Sequence, residues 1–346
     1  MGGDHGPAVV VAGVARAADF LNEKGLRVLL HGDEAKIGPE LARHRKARVL
    51  ADVRHTALVV SMDEKPAQAM RRGKGSSMWN AVEAIRSGDA QAAVSAGNTG
   101  ALMAISKLIL RMSADLDRPA IVASWPSIRG LTTVLDVGAN IVCDAERLVD
   151  FAIMGEAFHR AVHGVARPTV GLLNVGSEDQ KGHEEVREAH ALLRATTFDL
   201  DYRGFVEGND ISKGTVDVIV TDGFTGNVTL KAAEGLARFF TNELKSTLTS
   251  GPLAMAGAMI ASGALKKMRA RLDPGAVNGG PLLGLNGIVV KSHGGADAKG
   301  FASAIRVAAE LARSDFAAEI DRNMKRLTAA VGETAPEGAM GEQSPP

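Results

Sequence analysis

The amino-acid sequence predicts an α/β fold in which helices cover both faces of a mainly parallel sheet. Short runs rich in β-branched residues alternate along the chain with longer, alanine-rich segments of helical character. The run at 216–220 reads Val-Asp-Val-Ile-Val and is almost entirely apolar, as expected of a strand buried on both faces. Strands that alternate with helices in this way are typical of parallel sheets with helical crossovers.

Six strands and two helices are predicted from these patterns. The runs that predict strands lie at 26–31, 92–96, 120–125, 132–137, 169–175 and 216–221. Residues 8–24 predict a helix that ends at Gly25, and residues 77–87 predict one that ends at Gly88, because glycine readily adopts the left-handed conformation that closes a helix.

Two segments depart from this alternation. Residues 251–271 combine Ala, Gly and Met with a basic end, and they predict one or two helices that stand apart from the sheet. The last residues, 332–346, are rich in Gly, Pro and Glu and have no periodic apolar face, so we expect a disordered tail. We therefore expect a single α/β domain at 1–331 with a helical insertion at about 249–273.

The composition narrows the class of protein. The chain has 346 residues, and its 40 Lys and Arg balance 40 Asp and Glu, so no overall field favours a nucleic-acid partner. Cys143 is the only cysteine, which excludes an internal disulfide and a zinc site built from several thiolates, and it fits a reducing cytosol. The longest apolar stretch, 251–265, would form a helix of about 22 Å, shorter than the roughly 30 Å hydrocarbon core of a membrane. We therefore predict a cytoplasmic protein that can lie on a membrane surface but not span it.

Polar, glycine-rich loops follow three of the predicted strands, at 94–100, 135–140 and 221–227. In open α/β sheets, ligands bind beyond the carboxyl ends of the strands, where helix N-termini present free N–H groups. Glycines let a ligand approach the backbone, and amide or hydroxyl groups can hydrogen-bond an anion. These loops predict a phosphate or carboxylate site, although in any one loop the same residues could simply form a tight turn. The candidate residues are Gly97, Asn98, Thr99, Asp136, Asn140, Asp222, Gly223 and Gly226.

Two further segments add charged or titratable side chains. Residues 172–182 place Lys181 shortly before a helix, where its ammonium group could neutralise a phosphate or the oxyanion of a tetrahedral intermediate. The alternative is a solvated surface lysine. Residues 279–295 have a similar composition and add His293.

Other familiar motifs are absent from the sequence. It contains no nucleotide P-loop, no complete dinucleotide fingerprint and no serine-hydrolase elbow. His159 and His163 stand four residues apart, but Arg160 occupies the position of the glutamate in a zinc protease. We therefore expect this pair on a helix surface and predict no metal site.

Five motifs along the chain occur in the order found in one known family. They read Gly-Asp-His-Gly-Pro at 3–7, Ser-Ala-Gly-Asn-Thr-Gly-Ala-Leu-Met at 95–103, Leu-Asp-Val-Gly-Ala-Asn at 135–140, Asp-Gly-Phe-Thr-Gly-Asn at 222–227 and Leu-Gly-Leu-Asn-Gly at 283–287. Up to about residue 312 the sequence closely resembles the bacterial phosphate acyltransferase family of phospholipid synthesis. The resemblance implies a homodimer with a Rossmann-like fold similar to isopropylmalate dehydrogenases and phosphotransacetylases.

The reaction that this resemblance implies is the reversible transfer of a fatty acyl group from acyl carrier protein to inorganic phosphate. The acyl phosphate would serve glycerol-3-phosphate acylation by a membrane enzyme, which is a further expected partner. Neither a metal nor a redox cofactor is implied.

The same resemblance implies that Lys181 and Asn227 are the catalytic pair. Phosphate is itself a nucleophile and a thiolate leaves readily, so the reaction needs positioning and charge stabilisation rather than a covalent intermediate. Cys143, just after the 135–140 loop, is the alternative nucleophile, although a buried structural thiol is the commoner case. Second choices, with roles left open, are Asp136, Asn140 and His293.

One feature departs from the family pattern. The family normally begins with a short apolar strand that ends in Asp-Ala-Met, and Met1 stands at the position of that Met. Either the start codon is assigned too late or the strand is missing, and the completeness of the sheet and the anchoring of Asp4 and His5 depend on which of the two holds.

The segment 251–271 combines an apolar face with a basic end. This combination suits contact with an anionic lipid surface or with the acidic carrier protein. From spacing alone, packing in a dimer interface or against the core is the alternative. On a continuous helix, the apolar face would comprise Leu253, Ile260, Ala264, Met268 and Leu272. The basic residues are Lys266, Lys267, Arg269 and Arg271.

Two other functional classes stay open at this point. A decarboxylating dehydrogenase or a phosphotransacetylase-like enzyme would share the fold, and the dehydrogenase would need nicotinamide and a metal held by clustered aspartates. A non-catalytic module would bind acyl carrier protein or lipid without consuming phosphate.

Overall fold

A computed structural model describes residues 1–113, 116, 118–196, 199–271, 278–316, 318, 320 and 322. The strands in these ranges are β1 (Val28–Gly32), β2 (Ala51–His55), β3 (Ala92–Ser95), β4 (Ala120–Ser127), β5 (Gly130–Leu135), β6 (Thr169–Leu173), β7 (Asp201–Val206), β8 (Val218–Val220), β9 (Gly280–Leu283) and β10 (Ile288–Lys291). The helices are α1 (Gly6–Glu23), α2 (Glu34–Arg43), α3 (Arg45–Leu50), α4 (Pro66–Arg72), α5 (Ser77–Arg86), α6 (Thr99–Leu110), α7 (Ala145–His163), α8 (Glu184–Ala195), α9 (Gly208–Lys213), α10 (Gly223–Leu248), α11 (Pro252–Ile260), α12 (Ser262–Arg271) and α13 (Ala298–Arg313).

The described strands form two sheets. One contains β1 and β2, and the other has the order β3-β10-β9-β4-β5-β8-β6-β7. Five of the eight strand pairs are parallel, which confirms the predicted mainly parallel sheet. The three antiparallel pairs, β10–β9, β9–β4 and β4–β5, lie together in the middle of the larger sheet.

The antiparallel strands bring the ends of two parallel groups close to each other. Leu135, at the end of β5, pairs with Val122 of β4. Strand β4 also pairs with β9, and Pro281 of β9 pairs with Val290 near the end of β10. The carboxyl ends of β5 and β10 therefore lie in neighbouring rows of the sheet, although the two strands run in opposite directions.

Helices pack on both faces of the larger sheet, as predicted. Because side chains alternate along a strand, successive residues enter different core clusters. Val134 of β5 and Ile219 of β8 pack with residues of α5 and α6, whereas Leu135 and Val218 pack with residues of α7 and α8. The largest buried side chains on the α7 side are Phe151 and Phe158 of that helix.

All six predicted strands are present, with bounds shifted by at most two residues, and the two predicted helices correspond to α1 and α5. The strands that the sequence patterns missed are β2, β7, β9 and β10. Charged Asp52 and Arg54 interrupt β2, and β9 has only four residues, two of which are Gly280 and Pro281. Glycine and proline are disfavoured inside strands, so composition gives no signal there.

The segment after β8 extends away from the sheet. Helix α10 has 26 residues, and only Gly223 and Gly226 in its first turn are buried. Helices α11 and α12 follow it and meet at Ala261, so the segment forms two helices and the expectation of one continuous helical face is wrong. Ser262 and Gly263, both weak helix formers, stand at the break.

The two helices after α10 expose their apolar side chains. Leu253 and Ile260 of α11 are 88% and 89% exposed, and Lys266 and Lys267 of α12 are also exposed. The side chains of Arg269 and Arg271, together with Leu272 and the expected tail at 332–346, lie outside the described residues.

Candidate functional site

Asp136, directly after β5, organises the loop that follows it. Its buried carboxylate accepts hydrogen bonds from the backbone N–H groups of Ile121, Gly138, Ala139 and Asn140 and from the Asn140 side chain. Burial raises the pKa of Asp136 above its ordinary value, although the donors from Ile121, Ala139 and Asn140 act in the opposite direction. Both oxygens are occupied by donors of the protein itself, so this carboxylate holds the loop in shape.

Asn140 connects this loop to the start of α10. Its Nδ2 donates to the carbonyl of Pro119 at 3.0 Å, and its own carbonyl accepts the N–H of Gly223 at 2.6 Å. Asp222 caps α10, because its carboxylate accepts the N–H of Thr225 at 2.9 Å and the Thr225 hydroxyl at 2.7 Å. Two N–H groups of the first turn are therefore already bonded within the protein.

Asn227 lies in the second turn of α10 and faces the 135–140 loop. Its Nδ2 donates to the carbonyl of Val137 at 3.2 Å, which leaves a second N–H of the amide for a ligand. Gly138 has a φ of +134°, and a Cβ at that position would lie 2.5 Å from Nδ2 of Asn227. Gly226 makes a still closer approach, since its Cβ would lie 1.9 Å from the carbonyl oxygen of Asp136. These glycines let α10 and the loop meet.

The loop after β3 places Gly97, Asn98 and Thr99 at the start of α6. Asn98 caps the helix through the N–H of Ala101 at 3.0 Å, and its Nδ2 donates to the carbonyls of residues 62 and 64 at 2.7 and 2.9 Å. The Asn98 side chain therefore ties two loops together, and Thr99 is half-buried as the first helical residue.

Lys181 lies in the loop after β6, with its side chain exposed. The Asn174 side chain holds that loop by donating to the Lys181 carbonyl at 3.0 Å. Strand β6 lies next to β8, with Leu172 opposite Val220, so the Lys181 loop and the start of α10 leave the sheet at the same edge. The Asp136 loop, the Lys181 loop and the start of α10, which carries Asn227, therefore follow three adjacent parallel strands, β5, β6 and β8.

A second group of charged residues gathers at the end of β10, and the sequence patterns did not single most of it out. Lys231 and Glu234 of α10 lie close enough to His293 to affect its pKa, which burial and the neighbouring lysines lower. Lys291 precedes His293 in the chain, and Asp4 reaches the same place, with its N–H donating to the carbonyl of residue 294 at 3.2 Å. The available signal was the spacing of four residues between Asn227 and Lys231, which puts both on one side of a helix.

The two histidines predicted on a helix surface are placed differently. His159 is buried and its Nδ1 lies 2.9 Å from the Thr133 hydroxyl, while Nε2 of His163 lies 3.0 Å from the Ser124 hydroxyl. The surface expectation is therefore wrong for His159, because α7 lies inside the molecule. Burial also lowers the pKa of His163 to about 4.

In the described part of the chain, no three His, Cys, Asp or Glu side chains come together as a metal site. Among the described helices, none is both long and apolar enough to cross a bilayer.

Known proteins resemble this chain over nearly its whole length. The family model described as fatty acid synthesis protein matches residues 1–319. A phosphate acyltransferase of Caulobacter vibrioides is 77% identical over 329 residues, which cover 95% of this chain and 91% of that protein. A phosphate acyltransferase of Phenylobacterium zucineum is 65% identical over 341 residues, which cover 99% and 96%.

Solved structures share the fold at low sequence identity. A phosphotransacetylase of Streptococcus pyogenes matches with a TM-score of 0.58 at 17% identity, covering 87% of this chain and 91% of that one. EutD phosphotransacetylase of Staphylococcus aureus matches with a TM-score of 0.52 at 12% identity, covering 86% and 99%. These matches confirm the predicted likeness to phosphotransacetylase folds. By its sequence relatives, the chain belongs to the phosphate acyltransferase family and is an acyltransferase.

Proposed function

We propose that the chain transfers a fatty acyl group reversibly from acyl carrier protein to inorganic phosphate, and that the acyl phosphate enters phospholipid synthesis. One observation carries this proposal. The Lys181 loop and the start of α10, which carries Asn227, follow neighbouring parallel strands, β6 and β8, in a chain 77% identical to a phosphate acyltransferase. An ammonium group and an amide N–H are suitable donors for a phosphate and for a developing oxyanion.

The proposed chemistry needs no covalent intermediate with the protein. An oxygen of monohydrogen phosphate attacks the thioester carbonyl carbon, a C–O bond forms and the C–S bond breaks. The departing thiolate takes up the proton that the phosphate gives up. Holding the two reactants in line can contribute about 7–11 kcal/mol to lowering the barrier. One oxyanion donor contributes about 2.7–4 kcal/mol.

Lys181 and Asn227 are the proposed catalytic residues, because each side chain keeps an N–H donor beyond the hydrogen bonds that hold its segment in place. Asp136 and Asn140 are proposed as positioning residues, since their polar atoms bond to the loop and to the start of α10. The remaining proposed phosphate-site residues, which shape the loops around them, are Gly97, Asn98, Thr99, Asp222, Gly223, Gly226 and His293.

The proposal extends to partners and location. We propose a cytoplasmic homodimer that touches the membrane surface and passes acyl phosphate to a membrane acyltransferase. The exposed Leu253 and Ile260 of α11 and the exposed Lys266 and Lys267 of α12 support contact with anionic lipid or with the acidic carrier protein. Arg269, whose side chain is not described, belongs to the same proposed surface.

The decisive experiment incubates the purified full chain with palmitoyl-acyl carrier protein and radioactive phosphate. We expect labelled acyl phosphate and a stoichiometric release of carrier thiol. The variants K181A and N227A should each lower turnover by about 100-fold or more, the usual effect of losing an oxyanion donor.

The matched control is K46A, which removes an exposed lysine of α3 that pairs with Asp19. It should keep the wild-type rate. Full activity in both K181A and N227A would defeat the residue assignment, and absence of acyl phosphate with the wild-type chain would defeat the function itself.

A further inference from the structure

We propose that Lys291, assisted by Lys231, binds the inorganic phosphate that serves as substrate. The inference deepens the proposed function and rests on it for the identity of the anion. It adds two residues outside the motifs on which the catalytic pair depends.

The positions of three residues on α10 lead to this site. Asn227, Lys231 and Glu234 are separated by four and three residues, so they form a row along one side of the helix. The row begins at the 135–140 loop, where Asn227 donates to Val137. It continues toward the end of β10, where the charge of Lys231 is near enough to lower the pKa of Lys291. Helix α10 thus connects the proposed catalytic amide to a second cationic position.

Lys291 differs from the surface lysines of the chain. It is half-buried at the end of β10, and its Nζ donates to the carbonyl of Ser292. Within the described residues, no carboxylate lies within ion-pair distance of its ammonium group, whereas Lys231 is paired with Glu234 at 3.0 Å. An ammonium group has three donors, so Lys291 keeps N–H groups for an anion.

The backbone around Lys291 is held firmly. The Ser292 N–H donates to the carbonyl of Ser95 at 2.8 Å, and the Asn278 side chain donates to the Ser292 hydroxyl at 2.8 Å and accepts the N–H of His293 at 3.0 Å. These bonds fix the backbone that carries the Lys291 side chain, so the backbone needs little rearrangement when an anion binds, which favours affinity.

The first test measures binding of inorganic phosphate to the full chain by calorimetry, with no thioester present. K291M should weaken binding by about tenfold or more, the effect of losing one charge-assisted hydrogen bond. K231M should also weaken it, and K291R should restore most of the affinity. K36M, which changes an exposed lysine of α2, is the control and should bind as the wild type does.

The pH dependence gives a second readout. Burial and Lys231 lower the pKa of Lys291 to about 8, and the carboxylate of Asp4 acts in the opposite direction. Lys291 is therefore charged below this pH and neutral above it, and phosphate affinity should fall as the pH rises through about 8. The other groups facing this position, Glu234 and His293, lie on α10 and just after β10. In K291R the fall should disappear, because a guanidinium group stays protonated.

The outcomes separate this inference from the proposed function. If K291M and K231M bind phosphate as the wild type does, the inference is wrong even when acyl phosphate is formed. If wild type binds phosphate and both variants lose affinity while no acyl phosphate forms, the anion site stands and the proposed reaction fails. Should K291M not fold, K231M decides alone, since the Lys231 side chain is exposed.

Discussion

The thiol of Cys143 is buried, and burial together with the carboxylates of Asp136 and Asp222 raises its pKa to about 12. The thiolate is the nucleophilic form of cysteine, and almost none is present near neutral pH at such a pKa. We therefore expect C143S to form acyl phosphate at a rate close to that of the wild type. Mass spectrometry of the enzyme with acyl donor checks the same point, and an acyl-enzyme that C143S abolishes would contradict it.

Single residues also show how far the sequence could predict the site. The glycine-rich patterns located the turns at Asn98 and Asp136, each shortly after a strand, whereas the segment predicted as a loop at 221–227 is helical from Gly223 onward. They could not tell which polar groups are already bonded. The Asp136 carboxylate accepts a hydrogen bond from the N–H of Ile121, fifteen residues away in the sequence. The Asn98 amide donates to two carbonyls more than thirty residues away. Only the folded chain reveals such partners.

At the scale of the element, the start of α10 depends on close packing against the 135–140 loop. G226A would place a Cβ 1.9 Å from the carbonyl oxygen of Asp136, so helix and loop must separate. Overpacking of this kind costs about 1–3 kcal/mol of unfolding free energy. We expect a lower midpoint in thermal and denaturant unfolding, and a loss of acyl transfer because Asn227 shifts.

The same helix provides the control. Gly235 is exposed and a Cβ there would meet no atom within 4 Å, so G235A should raise the unfolding free energy by up to about 1 kcal/mol through helix propensity. If G226A unfolds like the wild type while G235A behaves as expected, the close contact between α10 and the loop is not important for stability.

Helix α11 is the element that we expect to touch lipid. L253D and I260D each introduce a charge at an exposed position, since the Leu253 side chain is 88% exposed and that of Ile260 is 89% exposed. The fold should therefore tolerate both variants. A charged residue on the apolar face prevents that face from inserting into anionic lipid. In a flotation assay, the wild type should therefore float with anionic vesicles and these variants should not. If this surface contacts lipid rather than the carrier protein, activity on soluble acyl carrier protein should stay near wild type. Unchanged flotation of both variants would remove this role for α11.

At the scale of the whole molecule, the alternation of strands and helices predicted the fold class but not the order of the strands. The sequence places β4 and β5 next to each other, and a short hairpin joins them, yet β9 and β10 come from the far end of the chain and pair between β4 and β3. Pairs of such high sequence separation leave no periodic pattern. The neighbourhood of Lys231 and Lys291 arises from this long-range pairing, which explains why spacing alone did not identify it.

The exposed side of α10 leads to a prediction about assembly. Leu236, Phe239 and Phe240 are 56%, 59% and 63% exposed, and they lie within one stripe of a helix that buries only its first turn. A second copy of the chain that packs against this stripe would remove it from water, so we expect a dimer by light scattering. F239D/F240D should give a monomer, because two charges cannot be desolvated in an apolar interface. L253D should stay dimeric, since it changes α11 alone. A monomeric wild type, or a dimer that survives F239D/F240D, would show that this stripe has another role.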